Sequence, residues 1–246
     1  MDWQDEGIVI ATARHGEHAV RLDVLTSEHG RHAGIVPGGA GRRMAPHLQP
    51  GARLKLVWRA RLEEHLGTFR AEPVPGPGAP LEDARALAGL ASVCALLRFA
   101  VAERVPMPGL YSRSRALLDA IAAGLDWAPF YVLWELHLLE DIGYGLDLET
   151  CAVTDAREGL AYVSPRSGRA VSAVGAGNWG PRLLPLPRFC IGMDEPPPTA
   201  RDVADGLALT GHFLSCRLAP ALGARALPAA RGRLLDRLGA SPRPPS

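Results

Sequence analysis

The feature that most constrains this chain is a change of period. Between Pro73 and Pro80 four prolines fall within eight residues (PVPGPGAP), a stretch that neither continues a strand nor starts a helix. Before it, apolar residues recur at every second position; after it, they recur at the helical spacing of about 3.6. A chain that switches in this way is α+β and multidomain, strands first and helices second. We read residues 1–75 as an all-β domain, 76–80 as a Pro/Gly linker, and 81–246 as a helical domain with an irregular lobe inserted at about 144–197.

In the first part, strands are predicted at Glu6–Ala13, Ala19–Ser27, Arg31–Pro37, Arg53–Leu62 and Gly67–Glu72, with a short helix over Met44–Leu48. Five short strands with a small helix between the third and fourth is the layout of an OB-fold β-barrel. In the second part, a helix from about Leu81 to Pro106 places Leu87, Leu90, Cys94, Leu97, Val101 and Val105 on one face. Ser112–Leu125 follows, with Leu117, Leu118, Ile121 and Leu125 inward. Pro129–Ile142 is apolar on nearly every side, as the centre of a bundle should be. Strand-like pieces at Leu160–Ser164 and Arg169–Ser172 flank a Pro165–Gly168 turn. Thr199 reads as the N-cap of a helix over Ala200–Leu218, and a last helix, Ala229–Leu238, carries Arg231, Arg233 and Arg237. The final SPRPPS reads as a frayed tail.

Charge is unevenly spread. The whole chain sums to +1, yet His29–Leu62 holds Arg31, Arg42, Arg43, Arg53, Lys55, Arg59 and Arg61 without one Asp or Glu. On the fourth strand, Leu54, Leu56, Trp58, Ala60 and Leu62 alternate with Arg53, Lys55, Arg59 and Arg61. The cations would then stand about 7 Å apart on one face, close to the spacing of phosphates along an extended nucleic-acid strand. A local basic patch on a nearly neutral protein points to polyanion binding there. Only Trp3, Trp58 and Phe69 supply aromatic rings in residues 1–75, and Trp58 falls on the core side, so electrostatics rather than base stacking should carry affinity.

Other classes fit less well. Val36–Arg43 is glycine-rich but lacks the Gly-Lys-Ser/Thr ending of a nucleotide loop, and reads as a flexible loop presenting Arg42 and Arg43. His15-Gly-Glu-His18 lies in a turn, without a helix to align the two imidazoles. Glu135, His137, Glu140 and Asp141 on the central helix read as structural ion-pairing groups, and no side chains assemble a catalytic set, so no enzyme is expected. Cys94, Cys151, Cys190 and Cys216 are widely spaced and read as reduced thiols of a cytoplasmic protein. No signal-peptide pattern and no membrane-spanning run is present in the sequence.

The stretches RRMAPHLQPGARLKLVWRARLEEHLGTFRAEP and LEDIGYGLDLETCAVTDAREGLAYVSPRSGRAVS, within this order of barrel, Pro-rich joint and interrupted helical domain, resemble the RecO family of bacterial recombination mediators, in its alphaproteobacterial branch. The resemblance covers essentially the whole chain. It implies binding to single- and double-stranded DNA and annealing of complementary strands. It further implies work with RecR, and with the acidic C-terminal tail of single-stranded DNA-binding protein, to load RecA, in the cytoplasm and at the nucleoid. In the family, DNA affinity is associated with the basic barrel, which maps here onto Arg42, Arg43, Arg53, Lys55, Arg59 and Arg61.

Many members of that family hold zinc with four cysteines after the central helix. Here Cys151 stands where the first pair would begin, Thr154 occupies its partner's position, and no second pair follows the Pro165–Gly168 turn. A closed zinc site needs about four N or S ligands. The expectation is a zinc-finger remnant without metal or other cofactor, held by Leu160, Tyr162 and Val171. An acidic tail ending in an apolar residue calls for an apolar pocket rimmed by Arg, and Arg98, Arg113 and Arg115 near Leu97, Leu110 and Leu117 are the candidates. The alternative to a DNA mediator is an OB-fold RNA-binding or ribosome-associated adaptor, which the same basic strand would serve.

Overall fold

The computed structural model describes residues 1–62, 64–76, 82–192, 195–224 and 226–240. Most of the linker (77–80) and the tail at 241–246 lie outside the described residues. The chain divides into two compact units, Met1–Leu125 and Asp126–Ser246.

The first unit opens with β1 (Asp2–His15), β2 (Ala19–Thr26), β3 (Arg31–Val36), β4 (Arg53–Arg59) and β5 (Thr68–Pro73). They close a barrel in the order β1-β2-β3-β5-β4, with a 3-10 turn over Ala45–Leu48 between β3 and β4. This is the OB fold, and the chain as a whole is α+β. β1 is long enough to serve two neighbours: Asp2–Ile8 pairs with β4, and Gly7–His15 pairs with β2. A register shift between Val9 and Ala11 bends the strand as it passes from one to the other. The alternation read on the fourth strand sends Leu54, Leu56 and Trp58 inward to meet Val9, Leu22, Val24, Val36, Leu48 and Phe69. The strand stops at Arg59, however, so Arg61 and Leu62 lie beyond it and Leu62 is exposed.

Two helices belong to the same unit: α1 (Ala84–Ala100), capped by the Asp83 carboxylate, and α2 (Pro108–Ala122). Leu90, Cys94 and Leu97 are buried as expected, and the Cys94 thiol lies 3.8 Å from the Val9 carbonyl of the barrel. The first helix ends six residues before Pro106. Its continuation is extended because β3 captures it: Glu103 bridges Arg31, and the Arg104 N–H donates to the Arg31 carbonyl at 2.8 Å. Arg104 takes a left-handed backbone (φ 64°), and Gly30 lies so close to the Val105 backbone that a Cβ there would collide with it. Val105 is therefore exposed rather than part of a helix face, as is Leu125 beyond the end of α2.

The second unit begins with α3 (Ala128–Asp141), which buries Tyr131, Val132, Trp134, Leu138 and Leu139 and leaves Phe130 exposed. Then come β6 (Leu160–Val163), β7 (Ala170–Ser172), the single turn α4 (Ala173–Ala176), a 3-10 turn over Gly177–Arg182, and β8 (Leu184–Pro185). The three strands form a small antiparallel sheet, β7-β6-β8. Next is α5 (Ala200–Phe213), whose Thr199 and Asp202 form a capping box. The Thr199 hydroxyl and N–H hold the Asp202 carboxyl below its ordinary range. A π-helical turn over Leu214–Leu218 leads to α6 (Ala219–Ala221), and α7 (Ala229–Leu238) closes the unit.

The centre of this unit is polar. Glu135 of α3 and Arg231 of α7 are 0% and 4% exposed and meet in a bidentate pair, Nε to Oε1 at 2.7 Å and Nη2 to Oε2 at 2.8 Å. Arg231 Nη2 also donates to the Leu207 carbonyl of α5 at 2.8 Å, and the Thr210 hydroxyl donates to Glu135 Oε2 at 2.5 Å. Burial works against the Arg231 charge, but the Glu135 carboxylate outweighs it and raises the guanidinium's pKa. One carboxylate thus ties three helices together.

Candidate nucleic-acid interface

The seven cations of the acid-free stretch are not equivalent. Arg31 is turned along the barrel wall onto the end of α1: its Nη1 donates to the Arg98 and Val101 carbonyls at 2.9 and 2.8 Å, and its Nη2 to Glu103 at 2.9 Å. A cation on a helix's last carbonyls is favoured by the macrodipole. Arg53 donates to the Pro75 carbonyl at 3.1 Å and faces the Asp119 carboxylate of α2 at 3.6 Å. Both side chains are largely buried by these contacts, 16% and 20% exposed, and they stitch the barrel to α1 and α2.

Lys55 and Arg59 do point outward from β4 and are exposed. Strand register supplies them with neighbours that lie far away in sequence. Glu6 and Glu72 flank Lys55, Gln4 and Arg70 flank Val57, and Asp2 and Thr68 flank Arg59. Directly paired residues share a face, so three carboxylates are set among three cations. Arg70 itself pairs with Glu72 at 3.0 Å. The outer face of β4 is a chequer of both signs, where the alternation of a single strand suggested a row of one sign.

Three of the seven cations lie in loops rather than on a strand. Arg42 and Arg43 are exposed in the loop 37–44, which is held by Gly41 N–H to Gly38 O (3.0 Å), Met44 N–H to Gly41 O (3.0 Å) and Ala40 N–H to His18 O (3.1 Å). This loop is a series of hydrogen-bonded turns. Arg61 is exposed just past β4. Thr68 bridges to Ile35 of β3 on one side and to Arg59 of β4 on the other. At about 4.8 Å per strand, the loop leaving β3 thus starts roughly 10 Å from Arg59. The loop that carries Arg42 and Arg43 is also tied to the β1–β2 hairpin, through Ala40 N–H to His18 O, while Arg59 and Arg61 lie at and just past the end of β4.

The barrel holds an aromatic cluster. Trp58 is 1% exposed and donates its indole N–H to the Leu66 carbonyl at 3.1 Å, which makes it core. Trp3 stacks on His29 at 4.1 Å between centroids, and His32 sits edge-on to Trp3 and Trp58 at 5.1 and 4.8 Å. His32 is buried with neither ring nitrogen hydrogen-bonded, and burial, then the Arg104 and His29 charges, push its pKa down to about 4. Nothing in the sequence around His32 distinguished it from a solvated histidine.

Of the residues considered for an acidic tail, Arg98 is exposed and faces the buried Asp23 carboxylate of β2 at 3.5 Å. Arg115 is exposed, and Arg113 partly so, on α2. Leu97, Leu110 and Leu117 are buried in the interior of the unit. The His15–His18 turn is solvated, with His18 and Glu17 3.8 Å apart and both highly exposed. Arg231 of the last helix is sequestered by Glu135.

The small lobe holds a hydrogen-bonded thiol. Cys151 Sγ accepts from the Ser172 N–H at 3.2 Å and the Val153 N–H at 3.4 Å, and the Thr154 and Ser172 hydroxyls lie 3.4 Å apart. A Cβ on Gly175 would fall 3.0 Å from that sulfur and from the Ser172 hydroxyl. Burial opposes ionisation of Cys151, yet the surrounding Ser172, Thr154 and Val153 donors lower its pKa to about 6. Cys151, Thr154, Ser172 and Gly175 thus converge in two pairs of three-residue spacing, with one thiol, two hydroxyls and a glycine. That donor set does not fit a structural zinc. Among the described residues no group of three or more His, Cys, Asp or Glu gathers as metal donors.

An OB barrel with exposed arginines in its loops, followed by helices and a small three-stranded sheet, defines the class of this chain. Comparison with known proteins gives the family. Residues 1–76 match the model described as Recombination protein O N terminal, and residues 81–226 match Recombination protein O C terminal. A DNA repair protein RecO from Ruegeria sp. (strain TM1040) is 54% identical over 97% of this chain and 98% of its own length. Those from Paracoccus denitrificans and Cereibacter sphaeroides are 55% and 51% identical, with 98% and 97% of this chain covered and 98% of each relative. The chain belongs to the recombination protein O family, and with it to DNA repair and recombination.

Proposed function

We propose that this chain is a non-enzymatic recombination mediator that grips the backbones of single- and double-stranded DNA, anneals complementary strands, and acts with RecR and the acidic tail of single-stranded DNA-binding protein to load RecA. It works at the nucleoid in the cytoplasm, without a metal or other cofactor. The observation that carries this reading is the set of exposed arginines, Arg42, Arg43, Arg59 and Arg61, on a barrel whose aromatic rings are mostly turned inward. Such a surface binds phosphates and leaves bases free to pair. Lys55 adds to it from the outer face, while Arg31 and Arg53 hold the barrel to α1 and α2 and contribute through the fold. Among the described residues no helix is long and apolar enough to cross a membrane. Arg98, Arg113 and Arg115 remain the proposed receptors of the acidic tail, through their charge.

The test is salt-dependent binding of a single-stranded oligonucleotide. Four phosphate contacts give a slope of log affinity against log salt near −3. Replacing Arg42, Arg43, Arg59 and Arg61 together by Ala is expected to flatten most of that slope with the fold intact. An unchanged slope would place the DNA elsewhere. Equal or tighter binding of RNA of the same length, with no strand annealing, would favour an RNA-binding adaptor.

A further inference from the structure

A second acid-free run lies in the second unit. From Gly159 to Met193 the chain has no Asp or Glu and four arginines, Arg166, Arg169, Arg182 and Arg188. Arg169 is tied to Asp147 at 3.1 Å; the other three are at least partly exposed. Within this run stands Trp179, 63% exposed. The remaining four tryptophans are spoken for: Trp58, Trp127 and Trp134 are buried, and Trp3 is partly buried and stacked on His29.

An indole left this far in water on an ordered element needs an explanation, because its burial would be worth more than that of almost any other side chain. The element is ordered. Trp179 is in the 3-10 turn Gly177–Arg182, which leads directly into β8. Around it, Leu183 N–H donates to Gly180 O at 3.1 Å, Gly180 packs near the Tyr162 hydroxyl of β6, and Leu186 N–H donates to Ala161 O at 2.9 Å. The Arg182 guanidinium carbon sits 5.2 Å from the Trp179 ring centroid, in cation–π range. One ring is thus presented on a fixed turn with a guanidinium against it, in a segment whose formal charge is entirely positive.

We propose that Trp179 and Arg182 form a stacking site for an unpaired base of single-stranded nucleic acid, Trp179 contacting the base and Arg182 its phosphate or its edge. This rests on the DNA-binding reading above and supplies what the barrel lacks, a solvent-facing aromatic. A duplex, whose bases are already stacked, gains nothing from the site, so Trp179 favours single strands where the exposed barrel arginines do not discriminate.

The experiment titrates the full chain with oligothymidylate, with an abasic strand of equal length and phosphate number, and with a duplex. Trp179→Ala is expected to weaken oligothymidylate binding by about 5- to 100-fold, the range for loss of one base–aromatic stack, without changing the salt slope. Binding of the abasic strand and of the duplex is expected to match the unsubstituted protein. Trp179→Phe keeps a ring and is expected to retain most of the affinity while losing the tryptophan quenching that binding produces. Ala-variant affinity for oligothymidylate equal to that of the unsubstituted protein, or an equal loss for the abasic strand, overturns the inference while the barrel's salt slope leaves the DNA reading standing. Failure of the unsubstituted protein to bind any of the three removes both.

Discussion

Breaking the buried pair at the centre of the second unit should be severe, and removing it whole should not. Arg231→Met leaves the Glu135 carboxylate, 0% exposed, with the Thr210 hydroxyl as its remaining donor among those described, after losing two charged bonds of 2.7 and 2.8 Å. An uncompensated buried charge of this kind costs about 3–5 kcal/mol. For a chain of this size that corresponds to a fall in Tm of roughly 6–20 °C. Glu135→Leu alone strands the guanidinium and should cost a similar amount. The double variant Glu135→Leu/Arg231→Met removes both charges and leaves Thr210 bonded within its own helix, to Gly206 O at 3.1 Å and Leu207 O at 3.3 Å. It is expected within about 2 kcal/mol of the unsubstituted protein, since apolar replacement of a whole buried pair is often neutral. Urea unfolding, followed by circular dichroism and by the emission of the buried Trp127 and Trp134, measures all four corners of the cycle. A single-variant loss under about 1 kcal/mol, or a double variant equal to the sum of the singles, would refute the idea that the pair acts as one unit.

Three further outcomes are expected. Because His32 is held down at about 4 against about 6.5 when unfolded, the unfolded chain binds the extra proton between those values, and stability is full above 6.5 and lost as pH falls toward 4. From pH 7 to 5 this amounts to about 2 kcal/mol, which thermal melts should show in the unsubstituted protein and not in His32→Phe. In the small lobe, chelator is expected to leave Tm unchanged and elemental analysis to find no stoichiometric zinc, whereas Cys151→Ala strands the Ser172 and Val153 N–H donors and should cost about 1–3 kcal/mol. Arg31→Ala is expected to lower Tm by several degrees through loss of charged hydrogen bonds of roughly 1.5–3 kcal/mol, yet to leave the salt slope of DNA binding in place, the reverse of Arg42→Ala.

What the sequence disclosed was local. The period-2 alternation from Arg53 to Arg59 set the inward and outward faces of β4, and the Thr199–Asp202 spacing set the start of α5, because both depend on near neighbours. What it concealed depends on residues brought together by pairing. The acids beside Lys55 and Arg59 come from β1 and β5, and no reading of β4 alone shows Asp2, Glu6 or Glu72 across from it. Glu135 was legible as an ion-pairing residue but not by partner, since Arg231 is 96 positions away. The end of α1 was misplaced for the same reason. Leu97, Val101 and Val105 keep helical spacing, but β3 pairs with Glu103 and the ladder is broken in favour of that contact.

That captured segment also decides where the chain can be cut. A fragment ending near Gly76 would keep all five strands yet leave Arg31 without its three acceptors, Asp23 without Arg98, and the Val9 side of the barrel without Cys94. A fragment ending at Leu125 keeps every one of them. The smallest piece that should survive expression on its own is therefore the barrel together with the two helices after it.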